Sequence, residues 1–228
     1  MNIELFESES RGSADYGWLK TKYSFSFADY YDPERMGFGK LRVLNDDVIA
    51  GGSGFPSHPH KDMEIVTIVT QGALAHKDNS GGSGVIKPGE VQAMSAGSGI
   101  IHSEFNASKT EEAKLFQLWI ETKQKGIKPQ YNQAAYELKE NDFTVIAGFS
   151  EGLKINQDAK VCLGKFNKQT TTTLSLKEGE GVFVFVIEGE AVVEGKTLNK
   201  RDAVGVSQTS KVSFSASNAF VLAVIVPL

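Results

Sequence analysis

Apolar positions along this chain come in blocks of strand length, separated by polar and glycine-rich turns. KYSFSFADYY (22–31) and KLRVLNDDVIA (40–50) carry aromatic and β-branched residues between turn-formers, which is a strand signature. The rhythm continues through EIVTIVTQG (64–72), GVIKPGE (84–90), AKLFQLWIET (113–122), FTVIAGF (143–149), EGVFVFVIEGEAVVEG (180–195) and KVSFSASNAFVLAVIVPL (211–228). Turns fall at DNSGGSG (78–84), SAGSG (95–99) and EGE (188–190). No long segment holds a 3.6-residue apolar period, and the best helix candidate is YNQAAYELKEN (131–141). Many short strands with Gly-rich turns predict an all-β sandwich or barrel with little helix.

A weak internal repeat suggests two such barrels. IVTIVTQGALA (65–75) and VFVFVIEGEAV (182–192) share an apolar strand, a polar residue, Gly and a second strand. The offset from Gly72 to Gly189 is 117 residues, close to half the chain. The polar segment ETKQKGIKPQ (121–130) contains Gly126 and Pro129 and reads as a linker. The chain therefore divides near residue 125, into domains 1–125 and 126–228.

Composition narrows the class. With 228 residues the chain suffices for one large all-β domain or two small ones. The net charge of −4 and the absence of any Lys/Arg run argue against a nucleic-acid surface. The acidic start MNIELFESES lacks the basic and apolar regions of a signal peptide. VFVFVI (182–187) and FVLAVIV (220–226) are too short to span a bilayer. The single Cys162 cannot form an internal disulfide, which suits a reducing cytoplasm, and within KVCLGKF it reads as a buried structural thiol. A soluble cytoplasmic protein is expected.

The histidines carry the chemistry. All four fall between positions 58 and 102. His58-Pro59-His60 places two imidazoles at i and i+2, on one face of a strand and roughly 6.5–7 Å apart at the backbone. Pro59 has no N–H, so this strand belongs at an edge or a barrel mouth. His102-Ser103-Glu104 repeats the geometry. Two such ribbons facing each other supply three imidazoles and a carboxylate, a set that leaves positions open on iron or a similar ion. H-x-H alone is a weak signal, whereas H-x-H followed by H-x-E in Gly-framed ribbons is specific. His76, in GALAHKD (72–78), is expected to serve a pocket or structural role. Phe55, Met94, Phe116, Leu118 and Trp119 are candidates for lining an aromatic cavity, although barrel core is the better reading for most.

Gly52-x5-His58-x-His60-x3-Glu64-x7-Gly72 resembles the first cupin motif, and Gly89-x5-Ser95-x-Gly97-x4-His102-x3-Asn106 the second, with Ser95 where proline is usual. The more specific likeness is to the pirin family and its bacterial quercetinase-like members. It rests on residues 11–49, on GFPSHPHKDMEIVT (54–67) and on MSAGSGIIHSE (94–104). It covers most of residues 11–120, and beyond that point it is one of architecture. The resemblance implies a bicupin with metal bound in the first barrel by His58, His60, His102 and Glu104, and a degenerate second barrel. There the repeat offset places Ser175 and Lys177 opposite His58 and His60, and neither is a good ligand. Other cupins take their carboxylate ligand near Glu64, but the pirin-like sequence around Glu104 favours Glu104. Glu64 is then an acceptor orienting an imidazole N–H, or a surface charge.

The same resemblance implies a flavonol dioxygenase of the quercetin 2,3-dioxygenase type. Fe(II) is the first choice of metal, with Zn, Ni, Cu or Mn compatible with the ligand types. The resemblance makes Glu104 both a ligand and the catalytic proton acceptor. The substrates are a small flavonol-like aromatic and O2, handled by a monomer with no nucleic-acid or membrane partner. The second reading is a non-enzymatic, metal-dependent regulator acting through a protein partner. A metal reached by an open mouth distinguishes the catalyst from a sealed centre.

Overall fold

The apolar runs without polar alternation are strands covered on both faces, and this decides how the two halves meet. A computed structural model describes residues 1–228. In the strand Glu180–Val193, Val182, Val184 and Val186 enter the core of the C-terminal half. Phe183, Phe185 and Ile187 enter a second core between the halves. The strand Lys211–Pro227 repeats the division, with Val221, Ala223 and Ile225 inside and Leu222, Val224 and Val226 in the shared core. Leu44, Val66, Ile68, Phe116 and Leu118 of the N-terminal half complete that shared core.

The protein is all-β, with one 3-10 turn at Ser8–Ser10. Seven strands form a sheet in the order 130–135, 90–95, 63–71, 113–121, 41–49, 19–23, 12–15. A four-stranded sheet, ordered 54–60, 100–106, 74–78, 83–86, lies against it, and residues of both enclose one cavity. The remaining nine strands make the C-terminal sheet. Register shifts at Val186–Glu190 bend its longest pairing, so that the sheet wraps its own core of Phe166, Val184 and Phe214. Gly189, at φ +80°, sits in this bend, where a Cβ would collide with the Asn218 carbonyl. Cys162 is buried in the same core, and burial pushes its thiol up to about 12. No helix is long and apolar enough to cross a membrane.

Strand pairing crosses residue 125 in both directions. Asn2–Phe6 pairs with Ala203–Ser207 in the C-terminal sheet, and Gln130–Ala135 pairs with Glu90–Ser95 in the N-terminal one. The latter strand occupies the segment expected to be helical, so that expectation was wrong. Tyr131 stacks on His76 at 4.3 Å and the Gln133 amide donates to the Val85 carbonyl. Backbone pairing with 90–95 adds to these contacts, and together they outweigh a helix propensity that is marginal over so short a stretch.

An ion-pair cluster pins the halves together. Asp46 accepts from Arg11 Nη1 and lies 3.2 Å from Arg201 Nε, while Arg11 covers Phe185 and Arg201 covers Phe116. Asp46→Ala leaves two guanidinium groups without their shared counter-charge. It is expected to cost about 3 kcal/mol, the low end for breaking a buried pair, because Asp46 keeps some solvent contact. The urea unfolding midpoint measures this, and an unchanged midpoint would mean that the cluster adds nothing to the fold.

Candidate metal centre

Strands Gly54–His60 and Ile100–Asn106 are antiparallel neighbours, with His102 directly opposite His58. The two ribbons thus lie side by side in one sheet rather than facing each other. Gly54 permits the approach, since a Cβ there would collide with the Glu104 carbonyl. Strand 54–60 is the sheet edge, as its prolines require. The His102 ring lies 4.4 Å from that of His58 and 4.8 Å from that of His60, which are themselves 4.8 Å apart. Ligand atoms of His58, His60 and His102 all fall within 4.8 Å of one another. Those of His76, His102 and Glu104 do the same, so His102 belongs to both groups.

Hydrogen bonds set which nitrogen each imidazole presents. His58 Nδ1 lies 2.7 Å from the Pro56 carbonyl and must donate to it, which leaves the Nε2 lone pair facing the cluster. Asp78 accepts from His76 Nε2 at 2.9 Å, so His76 Nδ1 is an acceptor and His102 Nδ1, 3.3 Å away, donates to it. His102 Nε2 is then also a lone pair, 3.0 Å from His58 Nε2. Asp78, His76 and His102 form a relay that ends in a ligand atom, the arrangement by which metal-binding imidazoles are oriented. Burial would raise the Asp78 carboxyl, but hydrogen bonds from His76, Ser80 and Gly82 outweigh it and hold the carboxyl below its usual range. Burial lowers His60 to about 4, helped by His58. It lowers His102 to about 3, helped by His58, His60 and His76. Neutral imidazoles with converging lone pairs suit a divalent cation.

Glu104 is fully buried, and burial pushes its carboxyl up. Against this, Gln117 Nε2 donates to Oε2 at 2.8 Å and Gln92 Nε2 approaches Oε1 at 3.5 Å. Trp119 Nε1 donates in turn to Gln117 Oε1, fixing that amide's orientation. These residues come from the opposite sheet, where Asn45, Gln117, Thr67 and Gln92 stand in register across four strands. None was singled out as polar site machinery from the sequence. A readable signal existed for Thr67, Gln92 and Gln117, because each stands between apolar neighbours and buried polar residues are seldom there for packing, whereas Asn45 is followed by Asp46 and Asp47 and does not stand out.

A cavity of about 190 Å³ adjoins the cluster, lined by His58, His60 and Glu104 and walled by Phe27, Phe55 and Trp119. Of the aromatic candidates, Phe55 and Trp119 therefore line it. Phe116 and Leu118 belong to the shared core and Met94 packs with Ile65 and Ile100. His76 lies between Asp78 and His102 and is buried. Glu64 is neither a surface charge nor the partner of an imidazole. It is buried and accepts from Ser95 Oγ at 2.6 Å and from the Asn156 backbone at 3.0 Å, a contact between the halves. Ser95, at the position where the cupin motif usually has proline, thus supplies a donor. Ser175 and Lys177 are exposed at a strand end.

Comparison with known proteins places the chain. A family model described as Pirin matches residues 6–120, and one described as Quercetinase C-terminal cupin domain matches residues 147–225. A quercetin 2,3-dioxygenase of Escherichia coli K12 is 38% identical over 218 residues, covering 95% of this chain and 94% of that protein. A pirin-like protein of Caulobacter vibrioides is 42% identical over 211 residues, covering 90% of each. The crystal structure of the bacterial pirin YhhW in complex with nickel(II), from Escherichia coli, superposes with a TM-score of 0.94. It is 37% identical and covers 99% of both chains.

Proposed function

The chain belongs to the pirin family and has its all-β bicupin fold, and from that premise we propose that it is a metal-dependent dioxygenase of flavonols such as quercetin. The reaction is quercetin 2,3-dioxygenase-type: both atoms of O2 enter the substrate, the heterocyclic ring opens at carbons 2 and 4, and carbon monoxide leaves. The observation that carries this reading is the aromatic-walled cavity that reaches His58, His60 and Glu104. An open path to the candidate centre suits turnover and would be superfluous in a sealed regulatory metal. The nickel(II) in YhhW and the quercetin 2,3-dioxygenase name of the Escherichia coli relative support the same reading.

In this reading His58, His60 and His102 hold one divalent ion through Nε2 or its equivalent, with Glu104 as the carboxylate ligand. Fe(II) is the first choice, and Ni, Cu, Mn or Zn fit the same donors. When bound, the ion promotes ionisation of a substrate hydroxyl and, if redox-capable, helps pass electron density towards O2. Glu104 accepts the substrate's hydroxyl proton at a carboxylate oxygen while Gln117 holds the other. Phe27, Phe55 and Trp119 orient the flat substrate by ring contact and exclude water. The N-terminal barrel holds the metal, the C-terminal barrel covers the first barrel, the division near residue 125 holds apart from the exchanged strands 2–6 and 130–135, and the protein works as a cytoplasmic monomer.

Oxygen uptake tests this. Iron- or nickel-loaded protein given quercetin should consume O2 and release carbon monoxide, and zinc-loaded protein should not, because Zn²⁺ has no accessible redox change. Metal-replete protein that consumes no O2 with any flavonol would favour the regulator.

A further inference from the structure

The cavity has a second polar pole that the metal reading does not use. Thr21, Asn45 and Asp47 line its wall, each only 4% exposed. Thr21 stands opposite Asp47 and Tyr23 opposite Asn45 across the pairing of strands 19–23 and 41–49. Thr21 Oγ1, Asn45 Oδ1 and Asp47 Oδ1 all lack a hydrogen-bond partner. A buried carboxyl oxygen left unpaired is costly, and three unpaired oxygens on one wall of one cavity are not explained by packing. Burial pushes the Asp47 carboxyl up to about 7; the Thr21 hydroxyl opposite is near enough to draw it back in part, but not in hydrogen-bonding geometry, so neither oxygen is satisfied by the other. Ser24 Oγ, Glu64 Oε1 and Gln92 Oε1 of the same half are also unpaired, but Thr21, Asn45 and Asp47 are the ones that gather on the cavity wall, where a ligand can reach them.

The ligand chemistry follows from these atoms. Asp47 and Asn45 present acceptor oxygens, so the guest must bring donors. The surrounding walls, Tyr23, Phe27, Phe55 and Trp119, suit a flat ring. The whole cavity, imidazole end included, measures about 190 Å³, below the ~300 Å³ at which sites for whole drug-sized molecules begin, so it encloses only part of a larger molecule, with one ring at this pole. We propose that Thr21, Asn45 and Asp47 form a phenol-binding subsite that accepts hydrogen bonds from the hydroxyl groups of one substrate ring, so that the protein selects polyhydroxylated aromatics. The name of the whole molecule rests on the flavonol reading, but the subsite does not.

The test is binding rather than turnover. Metal-replete wild-type and Asp47→Leu proteins are titrated with quercetin and with 3-hydroxyflavone, which keeps the 3-hydroxyl but has no hydroxyl on either outer ring. Fluorescence of Trp119, at the cavity wall, reports occupancy. Wild type should prefer quercetin by roughly 10-fold, the value of one or two hydrogen bonds to a carboxyl that is only part ionised near neutral pH. Asp47→Leu should lose most of that preference and leave 3-hydroxyflavone binding unchanged. The variant should also melt about 2–4 °C higher, having lost an unpaired buried carboxyl. Equal preference in the two proteins overturns the subsite while leaving the flavonol reading intact, and a lower melting temperature overturns it by making Asp47 structural. If neither flavonol binds, the flavonol reading fails, and resorcinol against its dimethyl ether decides the subsite. Selective binding of resorcinol by wild type supports it, and equal binding or none overturns it.

Discussion

His102→Ala should give a folded protein that no longer retains metal. His102 is the residue common to both donor groups, with its ring 1% exposed and wedged between His58 and His76. Alanine removes one ligand atom and also severs the relay from Asp78 through His76, so the remaining imidazoles lose a partner and a constraint. Loss of an outer partner alone typically weakens metal affinity about 10- to 100-fold, and loss of the ligand itself must exceed that. The fold should survive. The cavity and the unpaired His76 Nδ1 cost about 2–4 kcal/mol, while neither large hydrophobic core includes any histidine. Metal per chain, measured by mass spectrometry beside the far-ultraviolet dichroism spectrum, reads both halves of the expectation. Wild-type metal content in a folded variant would move the centre elsewhere. A variant without folded signal would show that metal and fold cannot be separated.

How much of this was legible beforehand depended on distance along the chain. H-x-H and H-x-E are local patterns, and period-2 geometry puts each pair on one face wherever the strand ends up. Their meeting was readable too, through family resemblance rather than geometry, which is why the ribbons were expected to face each other and instead lie side by side. The Asp78–His76–His102 relay was out of reach. It depends on register between strands 74–78 and 100–106, where Glu104 faces His76 and His102 faces Asp78. No pattern in either segment specifies that pairing. Gln92 and Gln117 were likewise hidden as Glu104 partners, since they reach it from the opposite sheet. Glu64 misled because its position in the motif suggested an imidazole, whereas its partners, Ser95 and Asn156, lie 31 and 92 residues away. The strand at 130–135 was missed because an edge strand is defined by its neighbour, not by its own alternation.

Glu104→Gln separates metal binding from proton transfer, and is expected to lower flavonol turnover by about 10²–10⁴-fold with metal largely retained. Glutamine matches glutamate in shape, and its carbonyl oxygen accepts the Gln117 amide as Oε2 does now, so the local packing persists. Burial and the Gln92 and Gln117 amides then surround a neutral group. What disappears is the basic oxygen, because an amide does not take up the hydroxyl proton that the carboxylate does. Protein stability should hold or rise, since a buried carboxyl whose burial outweighs its amide hydrogen bonds is replaced by a neutral side chain. The measurement is oxygen uptake with quercetin at matched metal content. A variant as active as wild type would remove the carboxylate from the mechanism and leave the three imidazoles as the whole of the centre. A variant that loses its metal instead would make Glu104 an obligatory ligand, and the proton would then have to leave by another route. The two carboxyl groups of the cavity, Glu104 beside the imidazoles and Asp47 on the far wall, should therefore respond differently: amide replacement at Glu104 lowers the rate, whereas loss of Asp47 lowers selectivity.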